Sequence, residues 1–332
     1  MKIKNKIRII VVATVSLILI AALTAVALPS DRHASPAPTE DESAVEVRHH
    51  KNILFMGLDA QSGLCDVIML INLNLRDNTA TVAQIPRDTF ASYTESSYKK
   101  LNGAYNALGG AEQTARWLER AMGIEIHHYA CIGLDTLGNI VDAVGGVDID
   151  IPRRMYYNDP EQGLCIDLDA GRAHLDGEGA KQFVRFRSGY ADGDLGRIDA
   201  QKLFLAAFAA RLARGMTPAL AIKLSQACDG VETDLSISEL MLLAARALDV
   251  HARDISVLTL PGEVRVATQS GASYFSVSAV ACERVMKQYF GARSEFDAEK
   301  LLLNGRYKSF SDVYSSDAQV DVLPLDTLMP SQ

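Results

Sequence analysis

Apolar positions along this chain recur with two different periods. Residues 52–58, 67–73, 79–85, 129–133 and 147–151 are apolar runs of strand length. Arg76-Asp77-Asn78 supplies turn chemistry between the second run and the third. Pro86 and Pro152 close the third and the last, because proline cannot donate to a sheet ladder. Between these runs the pattern turns helical. Ala111, Ala115, Leu118 and Met122 share one face of a predicted helix over 110–122, with Gly123 as its stop. Residues 135–144 predict a second helix ending at Gly145-Gly146, and 176–184 a short third one. A longer helix over 197–214 carries Ile198, Leu203, Phe204, Leu205, Phe208 and Leu212. Strands interleaved with helices predict an α/β fold, an α-β-α sandwich around a central mixed sheet.

The N-terminus has a pattern of its own. Lys2, Lys4, Lys6 and Arg8 precede twenty residues, 9–28, that carry no charge. Twenty apolar residues at about 1.5 Å each span the ~30 Å hydrocarbon core of a bilayer. Basic residues before such a helix hold the N-terminus in the cytoplasm and place the rest of the chain outside. The reading is therefore a cytoplasmic tail (1–8), a transmembrane signal-anchor helix (9–28) and a single-pass membrane protein with its C-terminal part extracytoplasmic. The alternative is a cleaved signal peptide, since Ala25-Val26-Ala27 resembles a cleavage site. The apolar run is longer than the roughly 7–15 residues of a signal core, which favours the anchor. Residues 29–50, with three prolines and the acidic cluster Thr39-Glu40-Asp41-Glu42-Ser43, read as an extracytoplasmic linker that buries no core.

Composition narrows the function classes. The chain has 332 residues, 48% of them hydrophobic, enough for one large domain or two small ones. A net charge of −8 without a basic stripe leaves no footprint for nucleic acid. Five cysteines, an odd number without close spacing, indicate neither a zinc site nor a disulfide framework. Cys65 beside Asp66 invites a nucleophile, but no histidine stands near it in a catalytic spacing, so a small packing residue is the better reading.

The candidate chemistry lies in arginines and carboxylates. Val184-Arg185-Phe186-Arg187 is followed by Gly196-Arg197 and Gln201. If residues 185–187 are extended, Arg185 and Arg187 share a face. Arg197 and Gln201, four apart, share a helix face. Arginine's planar fork suits phosphate, giving two parallel charge-assisted hydrogen bonds. Arg87 and Asp88 follow Pro86 at a strand end, where α/β folds place ligands. Asp59 and Asp66 sit at the ends of two further apolar runs. Carboxylates at neighbouring strand ends, together with gathered arginines, suggest a divalent metal bridging to phosphate.

The chain resembles the LytR–CpsA–Psr family of cell-wall assembly proteins. The matching blocks are 52–59 (NILFMGLD), 65–70 (CDVIML), 85–89 (IPRDT) and 100–105 (KLNGAY). They continue with 141–148 (VDAVGGVD), 174–178 (HLDGE), 184–187 (VRFR) and 192–197 (DGDLGR) with Gln201. The blocks run in order over residues 52–213, which marks 51–213 as the catalytic domain. Residues 214–293 resemble the family's C-terminal part more loosely, through Thr233-Asp234-Leu235-Ser236 and 258–262, and 294–332 is a tail of unknown role.

The resemblance implies a phosphotransferase. It would move a glycopolymer, such as teichoic acid or capsule, from a polyprenyl-pyrophosphate carrier onto peptidoglycan through a phosphodiester. The implied pyrophosphate-binding residues are Arg87, Arg185, Arg187, Arg197 and Gln201. The implied magnesium ligands are Asp59 and Asp66, and a prenyl tunnel is implied between sheet and helices. Asp88 is a candidate general base, or else a partner for Arg87. Leu64 and Gln61 stand where the family commonly has arginines, and the 59–66 loop is short, so one or two phosphate contacts are missing. Two other readings remain: a hydrolase using water as acceptor, and a non-catalytic sensor of lipid-linked precursors.

Overall fold

The first strand, β1 (His50–Leu58), sends alternate side chains into two separate cores. Ile53 and Phe55 enter one, Leu54 and Met56 the other, as the two-residue period of a strand requires. β2 (Cys65–Asn74) and β3 (Thr79–Gln84) continue this antiparallel meander. The computed structural model describes residues 49–330 except 60–61, 94–99, 162, 189, 191–193, 216, 237, 240–241, 244–245, 247–249, 267–270, 298–299 and 301–316. The expected membrane helix over 9–28 and nearly all of the linker lie outside the described residues. Among the described residues no helix is long and apolar enough to cross a membrane.

Helices cover both faces of the sheet. On one side lie α1 (Ala104–Leu108) and α2 (Ala111–Met122), which bury Ala104, Ala115, Leu118 and Met122 against Leu54, Met56 and Leu70. After β4 (His128–Gly133), α3 (Leu134–Val144) packs on the opposite face. Gly123 (φ 66°) and Gly145 (φ 80°) end α2 and α3 in the left-handed conformation that only glycine adopts at low cost. Two hairpin-like pairs follow, β5 (Val147–Ile151) with β8 (Gly171–Leu175), and β6 (Met155–Asp159) with β7 (Leu164–Leu168). They lead to α4 (Gly177–Arg185), whose N-cap Asp176 accepts a hydrogen bond from the Gly179 amide. α5 (Asp194–Ala213) and α6 (Pro218–Ala227) complete that layer.

The remaining chain returns to the same sheet. β9 (Glu232–Thr233) pairs with β4, and β10 (Ile255–Thr259) lies parallel to β3. β11 (Gly262–Val266) and β12 (Ser273–Val277) form a hairpin, and α7 (Ala279–Tyr289) buries Cys282, Val285 and Met286 beside α2. β13 (Val322–Pro324) then adds to β10, giving the order β13-β10-β3-β2-β1-β4-β9. The sheet is mixed: β1–β4 and β3–β10 are parallel, the other neighbours antiparallel. The architecture is the α-β-α sandwich expected from the sequence. Part of the unexplained 294–332 tail is sheet, and Leu325 just after it is fully buried.

Candidate functional site

The antiparallel meander puts the end of β1, the start of β2 and the end of β3 on one rim. Leu58 pairs with Cys65, and the amide of Ile85 donates to the Ile68 carbonyl. Asp59, Asp66, Arg87 and Asp88 therefore gather within one short arc. The 59–64 loop is tight: the Asp59 amide donates to Leu64 O at 2.9 Å, and the Gly63 amide to Asp59 O at 2.7 Å. Leu64 thus turns the chain through its backbone, and Gln61 lies outside the described residues.

The first turn of α5 supplies the other half. Arg197 is buried, and its Nη2 donates to the Asp66 carbonyl at 3.2 Å. Arg197 also approaches the Asp66 carboxylate at 3.7 Å and Asp194 at 2.6 Å. Arg87 pairs with Asp66 through Nη1 and with Asp194 through Nε at 3.3 Å. Two arginines and two carboxylates thus form a closed square, each arginine touching both acids. Several edges are close in charge but poorly aligned: Arg87 Nε, Arg197 Nε and both Asp194 oxygens make no hydrogen bond. Burial pushes the Asp194 carboxyl above its ordinary range, with Arg197 and Arg87 only partly opposing it. Burial likewise lowers the Arg197 pKa despite Asp194. It would lower that of Arg87 too, but Asp66, Asp194 and Asp88 together raise it.

Gln201, one turn beyond Arg197 on the same buried face, accepts from Gln84 Nε2 at 2.7 Å and donates to the Val184 carbonyl at 3.2 Å. It ties β3 and the end of α4 to α5. Arg185 is the last residue of α4, Phe186 is extended with its ring buried, and Arg187 is exposed. The two arginines therefore flank a buried anchor at a helix end rather than alternating along a strand. Among the described residues neither side chain is engaged by a carboxylate. Arg187 is close enough to Arg197 for its charge to disfavour that proton.

Asp88 is held mainly by Lys100, at 2.9 Å, and only loosely by Arg87, at 3.7 Å. Lys100 and Asp194 are members of this site that sequence reasoning did not single out, although both lie inside matched blocks. Lys100 meets Asp88 from 12 residues away, and Asp194 meets Arg87 across the fold as well as Arg197 one turn along the same helix, so no single local period signals both. Cys65 is buried, and burial with the neighbouring Asp66 charge pushes its thiol up to about 12. It stays protonated and packs, and all five cysteines are free thiols.

Behind this rim lies an apolar cavity of about 110 Å³ between the sheet and α3–α5. Phe55, Met69, Leu137, Phe204, Leu205 and Phe208 line it. Asp59, Asp66, Arg185 and Gln201 line it too, so carboxylates and a guanidinium share the walls of a hydrocarbon slot. Of the apolar residues on the long helix, Phe204, Leu205 and Phe208 face this slot. Leu212 and Ile198 are buried without lining it.

Comparison with known proteins agrees with this geometry. The profile of the LytR_cpsA_psr family matches residues 18–290. The polyisoprenyl-teichoic acid–peptidoglycan teichoic acid transferase TagV of Bacillus subtilis (strain 168) is 30% identical over 246 residues. That match covers 71% of this chain and 63% of the relative, so the chain spans less than two thirds of that relative's length. The corresponding TagU of Oceanobacillus iheyensis is 28% identical over 254 residues, 74% of this chain and 76% of its own. The crystal structure of B. subtilis TagV superposes with a TM-score of 0.62 at 29% identity, covering 72% of this chain and 95% of that one. The chain belongs to the LytR–CpsA–Psr family.

Proposed function

We propose that this protein transfers a glycopolymer, with its linking phosphate, from a polyprenyl-pyrophosphate carrier to peptidoglycan. The observation that carries this reading is the meeting of a charged rim and an apolar slot. A prenyl pyrophosphate has a hydrocarbon tail and a compact dianionic head. Here the slot between α5 and the sheet ends at Asp59, Asp66, Arg185 and Gln201. Arg185 and Arg187 carry positive charge that no carboxylate engages among the described residues, and a guanidinium is suited to hold phosphate oxygens. Both relatives described above are named as teichoic acid transferases acting from a polyisoprenyl carrier to peptidoglycan.

Each residue then has a task. The acceptor oxygen attacks the phosphorus that bears the glycan, and the bond to the prenyl phosphate breaks, its electron pair leaving with that phosphate. Arg185 and Arg187 hold the phosphoryl oxygens and stabilise the charge that builds on them. Arg87 and Arg197, locked by Asp66 and Asp194, are pre-positioned and need no reorganisation. Asp88, oriented by Lys100, takes the acceptor proton. Gln201 fixes the registry between α4 and α5, and with it the spacing of Arg185 from Arg197.

Magnesium is consistent with the donor set. Asp59 and Asp66 offer only hard oxygen donors on one cavity wall. Among the described residues no group of three or more acidic, histidine or cysteine side chains could hold a metal alone. A site with two carboxylates that leaves its other positions to phosphate and water is how Mg²⁺ is usually bound. When bound, the ion would neutralise the pyrophosphate. The 9–28 segment supplies a membrane anchor in this reading, keeping residues 51–293 outside, where the carrier's own pyrophosphate bond drives the reaction.

The test is a reconstituted reaction of the full chain in detergent with a prenyl-pyrophosphoryl saccharide, Mg²⁺ and a peptidoglycan oligomer. A phosphodiester-linked conjugate that requires acceptor and metal supports the transferase. Prenyl phosphate released at the same rate without acceptor overturns it in favour of hydrolysis, and binding without turnover in favour of a sensor.

A further inference from the structure

A second cavity lies on the other side of the arginine–carboxylate square. It encloses about 580 Å³ between Pro86, Asp88, Asp194 and Leu195 on one wall and the β11–β12 hairpin on the other. Glu263, Val264, Ser273 and Tyr274 form the hairpin wall. The hairpin is fastened to the rim by backbone bonds: the Phe275 amide donates to Asp88 O at 2.9 Å, and the Phe90 amide to Phe275 O at 3.0 Å. Asp88 is therefore built into the boundary of this cavity.

The two cavities share one partition. Asp66 faces the apolar slot, Asp194 faces the hairpin cavity, and Arg87 and Arg197 each contact both. Their charges differ in kind. The slot side presents Arg185 beside two aspartates, whereas the charged residues lining the hairpin cavity are the carboxylates Asp88, Asp194 and Glu263, each paired with a cation set behind the wall, Lys100, Arg197 and Arg265 respectively. Among the described residues no lysine or arginine lines the second cavity, so a pyrophosphate is better placed beside Arg185. A hydroxyl-rich, uncharged or amine-bearing molecule suits the second cavity, because carboxylates accept its O–H and N–H groups. The volume is within the roughly 300–1,000 Å³ of small-ligand clefts and gives room for about two sugar rings.

We propose that the hairpin cavity is the acceptor subsite, taking the sugar backbone of a glycan with one hydroxyl directed at Asp88. This rests on the transferase reading above and deepens it: donor and acceptor enter from opposite sides of the square. The hydroxyl oxygen forms the new P–O bond, its proton passes to the Asp88 carboxylate, and prenyl phosphate leaves toward the apolar slot. Asp88 then returns the proton to solvent.

The test is direct binding rather than turnover, so it does not depend on the reaction. A fluorescently labelled peptidoglycan disaccharide-peptide is titrated with the full chain in detergent, without donor, and read by polarisation. Val264 and Ser273 are exposed on the hairpin, so Val264→Trp and Ser273→Trp fill the cavity without touching a core. Each is expected to weaken muropeptide binding about tenfold or more, as blocking a central contact does, while binding of a prenyl-pyrophosphoryl saccharide is retained. Arg185→Ala is expected to bind the muropeptide as wild type does. Wild-type affinity in both Trp variants, or no muropeptide binding by the wild type, overturns the subsite. A wild type that binds the muropeptide but yields no conjugate keeps the subsite and refutes the transferase.

Discussion

β1 and β2 bury polar groups at both ends, and the two ends are built on opposite principles. At the His50 end, Asn52 donates to the carbonyls of Glu125 at 2.7 Å and Phe290 at 2.9 Å. It accepts from Asn72 Nδ2 at 2.6 Å, and Asn72 in turn contacts His50 at 3.2 Å. The Asn52 and Asn72 amides there carry no charge, and their hydrogen bonds are aligned. At the Asp59 end the buried groups are charged, and Arg87, Arg197 and Asp194 keep atoms without hydrogen bonds. Buried amides that are fully satisfied specify one packing and cost little. Buried charges that are close but misaligned are expensive to hold, and an arriving phosphate or hydroxyl lowers that cost. One end of the sheet is closed by satisfied amides; the other, in the proposed reading, receives the ligand.

Mutations at the two ends should separate activity from stability. The largest effect belongs to the charged rim: Arg185→Ala should lower kcat by about 10²–10³-fold, the scale of removing one charge-stabilising donor. Its melting temperature should stay near that of the wild type, since among the described residues no carboxylate engages the guanidinium. Asn52→Ala should do the reverse. It strands two carbonyls and an amide donor, costing about 3 kcal/mol. That lowers the melting temperature by roughly 6–10 °C, while activity per folded molecule is kept.

A pH titration sharpens the contrast. The backbone N–H of Asn52 donates to His127 Nδ1 at 3.2 Å, so the folded state needs that nitrogen bare. Burial, with Lys51 nearby, lowers the His127 pKa to about 4. Between pH 6.5 and 4 the unfolded chain takes up a proton that the folded chain refuses, so stability falls as pH falls through this window. The loss should be on the order of 2 kcal/mol after allowing for partial exposure and for Glu125 nearby. Urea unfolding of wild type and His127→Gln at pH 7 and 4.5 measures it, and the variant should show the shallower decline. The smallest effect is expected from Cys65→Ser. Its thiol stays protonated, so turnover should change less than about threefold, with a stability loss of about 1 kcal/mol from the lost burial.

The site was legible where chemistry follows a local pattern. Strand alternation and Pro86 located Asp59, Asp66 and Arg87 at run ends, and the meander brings those ends together. The four-residue spacing of Arg197 and Gln201 placed both on one buried helix face. Lys100 was not legible as a site member because what marks it is proximity to Asp88 across the fold; Asp194 stands three residues before Arg197, a spacing that could have signalled it, but its contact with Arg87 is tertiary. The start of α5 at Asp194 was missed because Gly- and Asp-rich residues read as a turn, whereas the i,i+3 pair with Arg197 and the tertiary contact with Arg87 favour the helix. β13 has three residues, too few for any period, and is held by β10 and by Leu325 in the core. The β11–β12 hairpin carries a weak alternation and its cavity none, because a void is a property of two walls from distant segments.

The most direct measurement is a crystal structure of residues 49–332 soaked with a short prenyl pyrophosphate and Mg²⁺. The account predicts phosphates against Arg185 and Arg187, the first isoprene units between Phe204 and Phe208 and the sheet, and the Arg87–Asp194 square intact. A prenyl chain lying outside the apolar slot, or phosphates in the acidic hairpin cavity, would contradict it.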